Sequence, residues 1–193
     1  MSTVQKINMN PASSTLLKKV VLTGPESTGK TFLSKILSEH FNTTWVEEYG
    51  RAYCEKVGQD LTALDFAHIA GGQLYLEDEA AKKANKVLIC DTDLIVTEIW
   101  AEIYKVPCPD WIIEINHQRH YDHWLLLSPD VPWERDSVRQ YQEIRNWHYQ
   151  RLHDELSKRK LPFTVISGSY EERIEMSTKL VGEVIRDGVT RNS

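Results

Sequence analysis

The sequence is short of cysteine, of long apolar runs and of positive charge, and each shortage argues against a class of protein. Its three cysteines, Cys54, Cys90 and Cys108, share no metal-ligand spacing and cannot all pair within one chain. That disfavours a disulfide-stapled secreted fold and leaves free thiols in a reducing cytoplasm. No apolar run approaches the roughly 20 residues of a membrane span. Residues 1–15 are polar and Ser/Asn-rich, without the apolar segment of a signal peptide. The chain is therefore expected to be cytoplasmic, with no membrane partner. Lys and Arg number 23 against 28 Asp and Glu, a net charge of −5, which argues against a nucleic-acid-coating protein while leaving room for a local basic patch. Glycine and proline are sparse, at 9 and 7 of 193 residues, so the composition is globular rather than fibrous or disordered. The length fits one substantial domain that needs no staples. A loose leader over 1–15 and a single domain over 16–193 are expected.

What is present is a regular alternation. Short apolar runs occur at Val20-Val21-Leu22, Thr44-Trp45-Val46, Val87-Leu88-Ile89-Cys90, Trp124-Leu125-Leu126-Leu127 and Phe163-Thr164-Val165-Ile166. They are β-branched, leucine-rich or aromatic, and suit strands buried on both faces. Between them lie amphipathic stretches. Phe32, Leu33, Ile36, Leu37 and His40 share one helical face, as do Ile174, Leu180, Val181, Val184 and Ile185. Thr62 and Asp65 form a capping-box pattern ahead of Phe66, Ile69, Ala70 and Leu74. Gly71-Gly72 then weakens the continuity of that helix. Val106-Pro107-Cys108-Pro109 is expected to separate two helices. The alternation predicts an α/β fold of about five parallel strands with helices on both faces.

Gly24-Pro25-Glu26-Ser27-Thr28-Gly29-Lys30-Thr31 satisfies G-x-x-x-x-G-K-[ST] without a mismatch, directly after an apolar strand and opening an amphipathic helix. Gly24 and Gly29 let the backbone wrap with its amide N–H groups inward, forming an anion nest. The helix beginning near Lys30 aims its positive dipole end at the same place. Lys30 is spaced to reach the β- and γ-phosphates, and the Thr31 hydroxyl to ligate Mg²⁺. Gly24 to Thr31, with Phe32 behind them, therefore form an expected ATP site.

In an open parallel sheet, ligands collect beyond the carboxyl ends of the strands. The third run ends in Asp91-Thr92-Asp93. Asp91 is the natural metal-holding carboxylate, with Mg²⁺ as the expected cofactor. Asp93, one pleat further, is expected to point toward an acceptor, with a helix cap as the alternative. The second run ends in Glu47-Glu48-Tyr49-Gly50-Arg51. Glu47 and Glu48 would take opposite faces, so one of them enters the cleft, where a carboxylate accepts a hydroxyl proton or holds a ribose. Arg51 either binds phosphate or neutralises a neighbouring acid.

Five of the ten arginines fall between Trp133 and Lys160: Arg135, Arg139, Arg145, Arg151 and Arg159. The planar guanidinium suits phosphate oxygens and developing phosphoryl charge. Arg135 and Arg139 are four apart and would share a helix face. The stretch 133–160 reads as a lid over the nucleotide, with Arg135 and Arg139 reaching in and Arg151 and Arg159 on an ordinary exposed helix. His117, His120 and His123 recur every three residues but span a helix end and a strand, which argues against a metal site. Trp100 and Tyr104, or Trp45, Tyr49 and Tyr53, are candidates to stack on a planar substrate. Ser167-Gly168-Ser169-Tyr170 is a tight turn into the last helix, placed to border an adenine.

Taken in order, the phosphate loop, Glu48-Tyr49-Gly50-Arg51, Asp91-Thr92-Asp93 and Pro132-Trp133-x-x-Asp136-x-x-Arg139 resemble the ribosylnicotinamide kinase domain of NadR-type proteins, from about Lys18 to Val184. The resemblance implies a nucleoside/nucleotide kinase-like P-loop NTPase fold, a three-layer sandwich. It also implies transfer of the ATP γ-phosphoryl group to the ribose 5′-hydroxyl of nicotinamide riboside. Its partners would be ATP and a small nucleoside-like acceptor. The H-x-G-H of the adenylyltransferase domain found in full NadR proteins does not occur. Two positions depart from the family. Glu47 stands where a nicotinamide-stacking tryptophan usually precedes E-Y-x-R, and Ser137 where glycine is usual. Trp45, two residues before Glu47 and on the same strand face, is the expected substitute. The expected roles are therefore Lys30, Asp91, Asp93, Glu48, Arg135 and Arg139 in catalysis, Trp45, Glu48, Tyr49, Arg51 and Asp93 at the acceptor, and Thr31 with Asp91 at the metal.

The alternatives are a kinase for another nucleoside or vitamin-like alcohol, and a nucleotide-dependent regulatory ATPase. Asn85-Lys86-Val87-Leu88 lacks the Asp of a guanine-reading N-K-x-D. The length leaves no room for the lid domain of an AAA+ motor.

Overall fold

Strand β1 (Lys18–Thr23) is the middle of the sheet, and its place there fixes the position of everything that matters. Val20, Val21 and Leu22 have no exposed surface, so both faces of β1 are covered, as a parallel sheet requires. The computed structural model describes residues 16–134 and 141–190. The remaining elements are α1 (Lys30–His40), β2 (Trp45–Val46), α2 (Tyr49–Val57), α3 (Ala63–Ala81), β3 (Val87–Asp91), α4 (Leu94–Tyr104), α5 (Asp110–Gln118), β4 (His123–Leu127), a 3₁₀ turn (Gln142–Ile144), α6 (Arg145–Lys158), β5 (Phe163–Ile166) and α7 (Tyr170–Thr190). The strand order is β2-β3-β1-β4-β5, all parallel. Each of the five expected runs is one of these strands.

Alternation along the strands sorts the core into two layers. Val21, Leu88, Cys90, Trp124 and Leu126 face one side, packed against α4 and α6. Val20, Leu22, Ile89, Leu125 and Leu127 face the other, against α1 and α7. Burial of Leu152 and Leu156 puts α6 in the first layer, which corrects the lid reading of 133–160. The part from Arg145 to Lys158 is a core helix. Arg151 and Arg159 are spent on Glu102, Glu155 and Glu98, tying α6 to α4.

The capping box at Thr62 and Asp65 starts α3, which runs unbroken through Gly71-Gly72. The reason is local. A Cβ on Gly72 would lie 2.3 Å from the Tyr49 ring, so this glycine makes room for α2 to lie against α3. Val106-Pro107-Cys108-Pro109 separates α4 from α5 as expected. Among the described residues no helix is long and apolar enough to cross a membrane.

Candidate functional site

The phosphate loop leaves β1 at Gly24, whose φ of 147° and close approach to the Leu127 carbonyl admit no side chain; a Cβ would sit 2.8 Å from that oxygen. The loop closes on Gly29, the residue capping α1. Lys30 folds back over it, donating from Nζ to the Gly24 and Pro25 carbonyls at 2.9 and 3.0 Å. Thr28 Oγ1 also donates to Pro25 O, at 2.9 Å.

Register brings the metal candidates together. Leu22 pairs with Asp91 across β1 and β3, so the end of β3 lies beside the loop. Thr31 Oγ1 donates to Asp91 Oδ2 at 2.6 Å. Asp91 is fully buried, and its Oδ1 has no hydrogen-bond partner. Burial first, then the negative charge of Glu48, push its carboxyl up to about 7, against the opposing influence of Lys30, Thr31 and Arg51. A hydroxyl and a carboxylate with one idle oxygen form a hard oxygen donor set that fits Mg²⁺, an ion content with one or two protein ligands plus phosphates and water. Among the described residues no cluster of three or more His, Cys, Asp or Glu could hold a metal alone, and the three histidines at 117, 120 and 123 form none.

Thr92 follows at φ 78°, a strained conformation for a β-branched residue, with its N–H donating to Leu22 O. This turn separates the two aspartates. Asp91 stays beside the loop, whereas Asp93 is the cap of α4. Asp93 is fully buried and accepts from Ile95 N, Val96 N and Trp124 Nε1 at 3.1, 3.4 and 2.7 Å. Burial pushes its carboxyl up to about 6, partly offset by these donors. The acceptor role expected for Asp93 is thus corrected, because its oxygens serve the helix end and the Trp124 indole.

A cavity of about 600 Å³ opens over the loop and runs away from it between α2, α3, α4 and α6. That size suits a small-molecule site. Its near end is lined by Gly24, Glu26 to Phe32, Glu48 and Arg51. Phe32 stacks edge-on against Tyr170, with 5.5 Å between ring centroids, at the start of α7. Its far end holds Phe66, Trp100, Tyr104, Tyr141 and His148. Trp100 stands 5.3 Å from the Tyr141 ring and 5.1 Å from the His148 ring. Burial, with a smaller contribution from the Lys30 charge, pushes His148 down to about 3, so it is neutral.

Of the acceptor residues expected from the sequence, Glu48 and Arg51 line this cavity, and Arg51 also pairs with Glu55 at 3.4 Å. Glu47 is exposed beyond β2. Trp45 and Tyr49 are corrections. Trp45 packs into the α1/α7 layer under Lys35, because β2 carries Val46, not Trp45, on the cavity side. Tyr49 lies on Gly72, and its N–H donates to Gln73 Oε1 at 2.9 Å. The aromatic surface comes from α4 instead. Arg135 and Arg139 lie outside the described residues.

Two arginines hold the loop: Arg145, expected only as one of the lid arginines, and Arg173, missed in the sequence. Arg145 donates to Ser27 O and Val131 O, both at 2.8 Å, and lies over the Trp133 ring. Arg173 donates to Thr28 O at 3.1 Å, to Gly168 O and Ser128 O, and pairs with Asp130. The readable signal for Arg173 was an arginine on the buried stripe of the last helix, in line with Ser177 and Val181.

A family model described as an AAA domain matches residues 19–173. The trifunctional NAD biosynthesis/regulator protein NadR of Escherichia coli (strain K12) is 31% identical over 176 residues, 88% of this chain and 43% of that protein. A crystal structure of a NadR protein in complex with NR superposes with a TM-score of 0.74 at 26% identity, over 87% of this chain and 51% of the other. A second, in complex with NAD and AMP-PNP, gives 0.75 at 26% identity, over 87% and 49%. The chain thus spans about half the length of these relatives.

Proposed function

The chain belongs to the AAA domain family, and on that premise we propose that it is an ATP-dependent kinase phosphorylating the ribose 5′-hydroxyl of ribosylnicotinamide to nicotinamide mononucleotide. One observation carries the reading: a single cavity joins the phosphate loop to an aromatic chamber, and Glu48 and Arg51 line it beside the loop. The likeness to a NadR protein that holds NR supports the choice of acceptor, and the likeness to one that holds AMP-PNP supports ATP as donor.

Phosphoryl transfer asks the protein for position and electrostatics rather than a covalent nucleophile. The loop N–H groups and Lys30 hold the β- and γ-phosphates. Thr31 and Asp91 would hold Mg²⁺, which would supply positive charge to neutralise the phosphate oxygens. Trp100, Tyr104 and Tyr141 pack against the flat pyridinium ring, and cation–π attraction to its positive charge adds to the stacking. Glu48 orients the acceptor hydroxyl and takes its proton as the oxygen attacks the γ-phosphorus and ADP leaves. Arg51 is placed to neutralise charge at the same point. Arg135 and Arg139 stabilise the charge that develops on the transferring phosphoryl group.

The test is a coupled ADP-release assay across ribosylnicotinamide and a panel of other nucleosides. Release stimulated by ribosylnicotinamide and lost in Lys30→Ala is expected. Release that no acceptor stimulates would replace this reading with a regulatory ATPase.

A further inference from the structure

The carbonyl groups of Ser27 and Thr28 both point away from the cavity, each onto a buried arginine from a different helix. Arg145, at the start of α6, reaches Ser27 O through Nη2 at 2.8 Å. Arg173, in the first turns of α7, reaches Thr28 O through Nη1 at 3.1 Å. Among the described residues all the peptide bonds are trans, and in a planar trans peptide the C=O of one residue and the N–H of the next point in opposite directions. An outward Ser27 carbonyl therefore turns the Thr28 N–H inward, and an outward Thr28 carbonyl turns the Gly29 N–H inward. These are two consecutive donors of the anion nest.

We propose that Arg145 and Arg173 are positioning residues that brace the phosphate loop from outside and hold the Thr28 and Gly29 amides toward the phosphates before nucleotide arrives. The inference rests on the reading of this loop as the triphosphate site. The loop needs such a brace. Ser27 sits at φ 59°, a left-handed conformation that a residue with a side chain disfavours, and rotation of the neighbouring peptides would relieve it while turning an amide away.

Each guanidinium also does more than hold one oxygen. Arg145 Nη1 donates to Val131 O, and Glu134 N donates to Ser27 Oγ at 2.7 Å. Ser27 is thereby fastened to the chain that leaves β4. Arg173 Nε and Nη2 take Gly168 O and Ser128 O, and Asp130 completes its shell. Two acceptors or more on separate segments suit the planar fork of arginine and exceed what a lysine ammonium on a flexible stem can fix in direction. Both cations stand behind the nest, where their charge favours a bound polyanion.

The test measures equilibrium binding of inorganic tripolyphosphate, ATP and adenosine to the parent chain and to Arg145→Lys, Arg145→Gln, Arg173→Lys and Arg173→Gln, each checked for its fold by circular dichroism. Tripolyphosphate and ATP should weaken roughly ten-fold or more, the loss of about one charge-assisted hydrogen bond. Adenosine should hold its affinity, which a general loosening of the fold would not allow. The Thr28 and Gly29 amide resonances should shift in the ligand-free variants. Folded variants that bind tripolyphosphate within about two-fold of the parent would overturn the brace. Failure of the parent itself to bind tripolyphosphate or ATP would overturn the triphosphate reading beneath it. Should the Arg173 variants not fold, Asp130→Asn loosens Arg173 without removing it. A smaller weakening in the same direction is then expected, and unchanged binding would overturn Arg173's part.

Discussion

The Thr31 hydroxyl donates to Asp91 across 2.6 Å, and this bond joins the end of the phosphate loop to the end of the neighbouring strand. It leaves Asp91 Oδ1 buried and idle. A carboxylate in that position is costly to keep charged until a cation arrives. Its usefulness and its cost therefore have one origin.

That cost is measurable through pH. Burial and Glu48 lift Asp91 from its ordinary 3.8 to about 7. A raised acid stabilises the fold fully below its unfolded value, and that contribution is lost as pH rises through the folded one. Metal-free Asp91→Asn should therefore melt above the parent at pH 8, with the difference closing toward pH 4. In the parent, affinity for Mg²⁺ with a nucleotide should fall as pH drops below about 7, because the cation must displace a proton. In Asp91→Asn that pH dependence should shrink to the part contributed by the nucleotide's own terminal phosphate, which titrates at about 6. Calorimetry in buffers of different ionisation enthalpy reads the released proton directly.

Glu48 and Asp93 separate by what they damage. Asp93→Ala removes a helix cap and strands the Trp124 N–H, which should lower stability by about 2–4 kcal/mol. Its folded fraction should keep the parental kcat. Glu48 stands at the N-cap position of α2 but its side chain makes no cap hydrogen bond, and removing its charge relieves buried Asp91. Glu48→Gln should therefore melt at or slightly above the parent while kcat falls about 100-fold. Steady-state kinetics beside thermal melts of both variants decide the matter. The reverse pattern would return the acceptor role to Asp93.

Adjacent glycines in α3 should respond with opposite signs. A Cβ on Gly71 meets nothing within 4 Å, so Gly71→Ala should stabilise by about 0.8–1 kcal/mol through helix propensity. At Gly72 the same methyl would sit 2.3 Å from Tyr49 Cε1. The ring must move, and overpacking of this kind costs about 1–3 kcal/mol, more than propensity returns. Urea melts of the two variants give the comparison. Because Tyr49 opens α2, directly after Glu48, Gly72→Ala should also raise KM for the acceptor.

The strands, the phosphate loop and Asp91 were legible in the sequence because each rests on local chemistry. An apolar run between polar segments, a glycine-spaced loop before a helix and an acid at a strand end report themselves. Trp45, Tyr49 and Asp93 were misplaced because their roles depend on which face they take, and that depends on register and on the turn at Thr92. A two-residue β2 ends before alternation can carry Glu47 and Glu48 to opposite faces. Trp100 and Tyr104 were named among several aromatics without anything to choose between them, since their value comes from Tyr141 and His148 on a different part of the chain. The arginines between Trp133 and Lys160 looked like one lid by composition. Three of them have different partners, and Arg173, a brace of the loop, lies outside that stretch.

The α4–α6 tie offers a test that leaves the cavity alone. Glu155 accepts from Arg151 Nη1 and Arg159 Nε, both at 2.7 Å, and Arg159 continues to Glu98. Burial raises the Glu155 carboxyl, but the two guanidiniums outweigh it and bring the group from 4.5 down to about 2. A depressed acid contributes stability above its unfolded value and loses that contribution as pH falls through the folded one. Glu155→Gln should thus melt below the parent at neutral pH. The gap should narrow as pH falls below about 4 and close near pH 2. Because Glu155, Arg151 and Arg159 do not line the cavity, KM for ATP should not move. A gap that stays constant from pH 7 to pH 2 would mean that shape, not charge, holds α6 to α4.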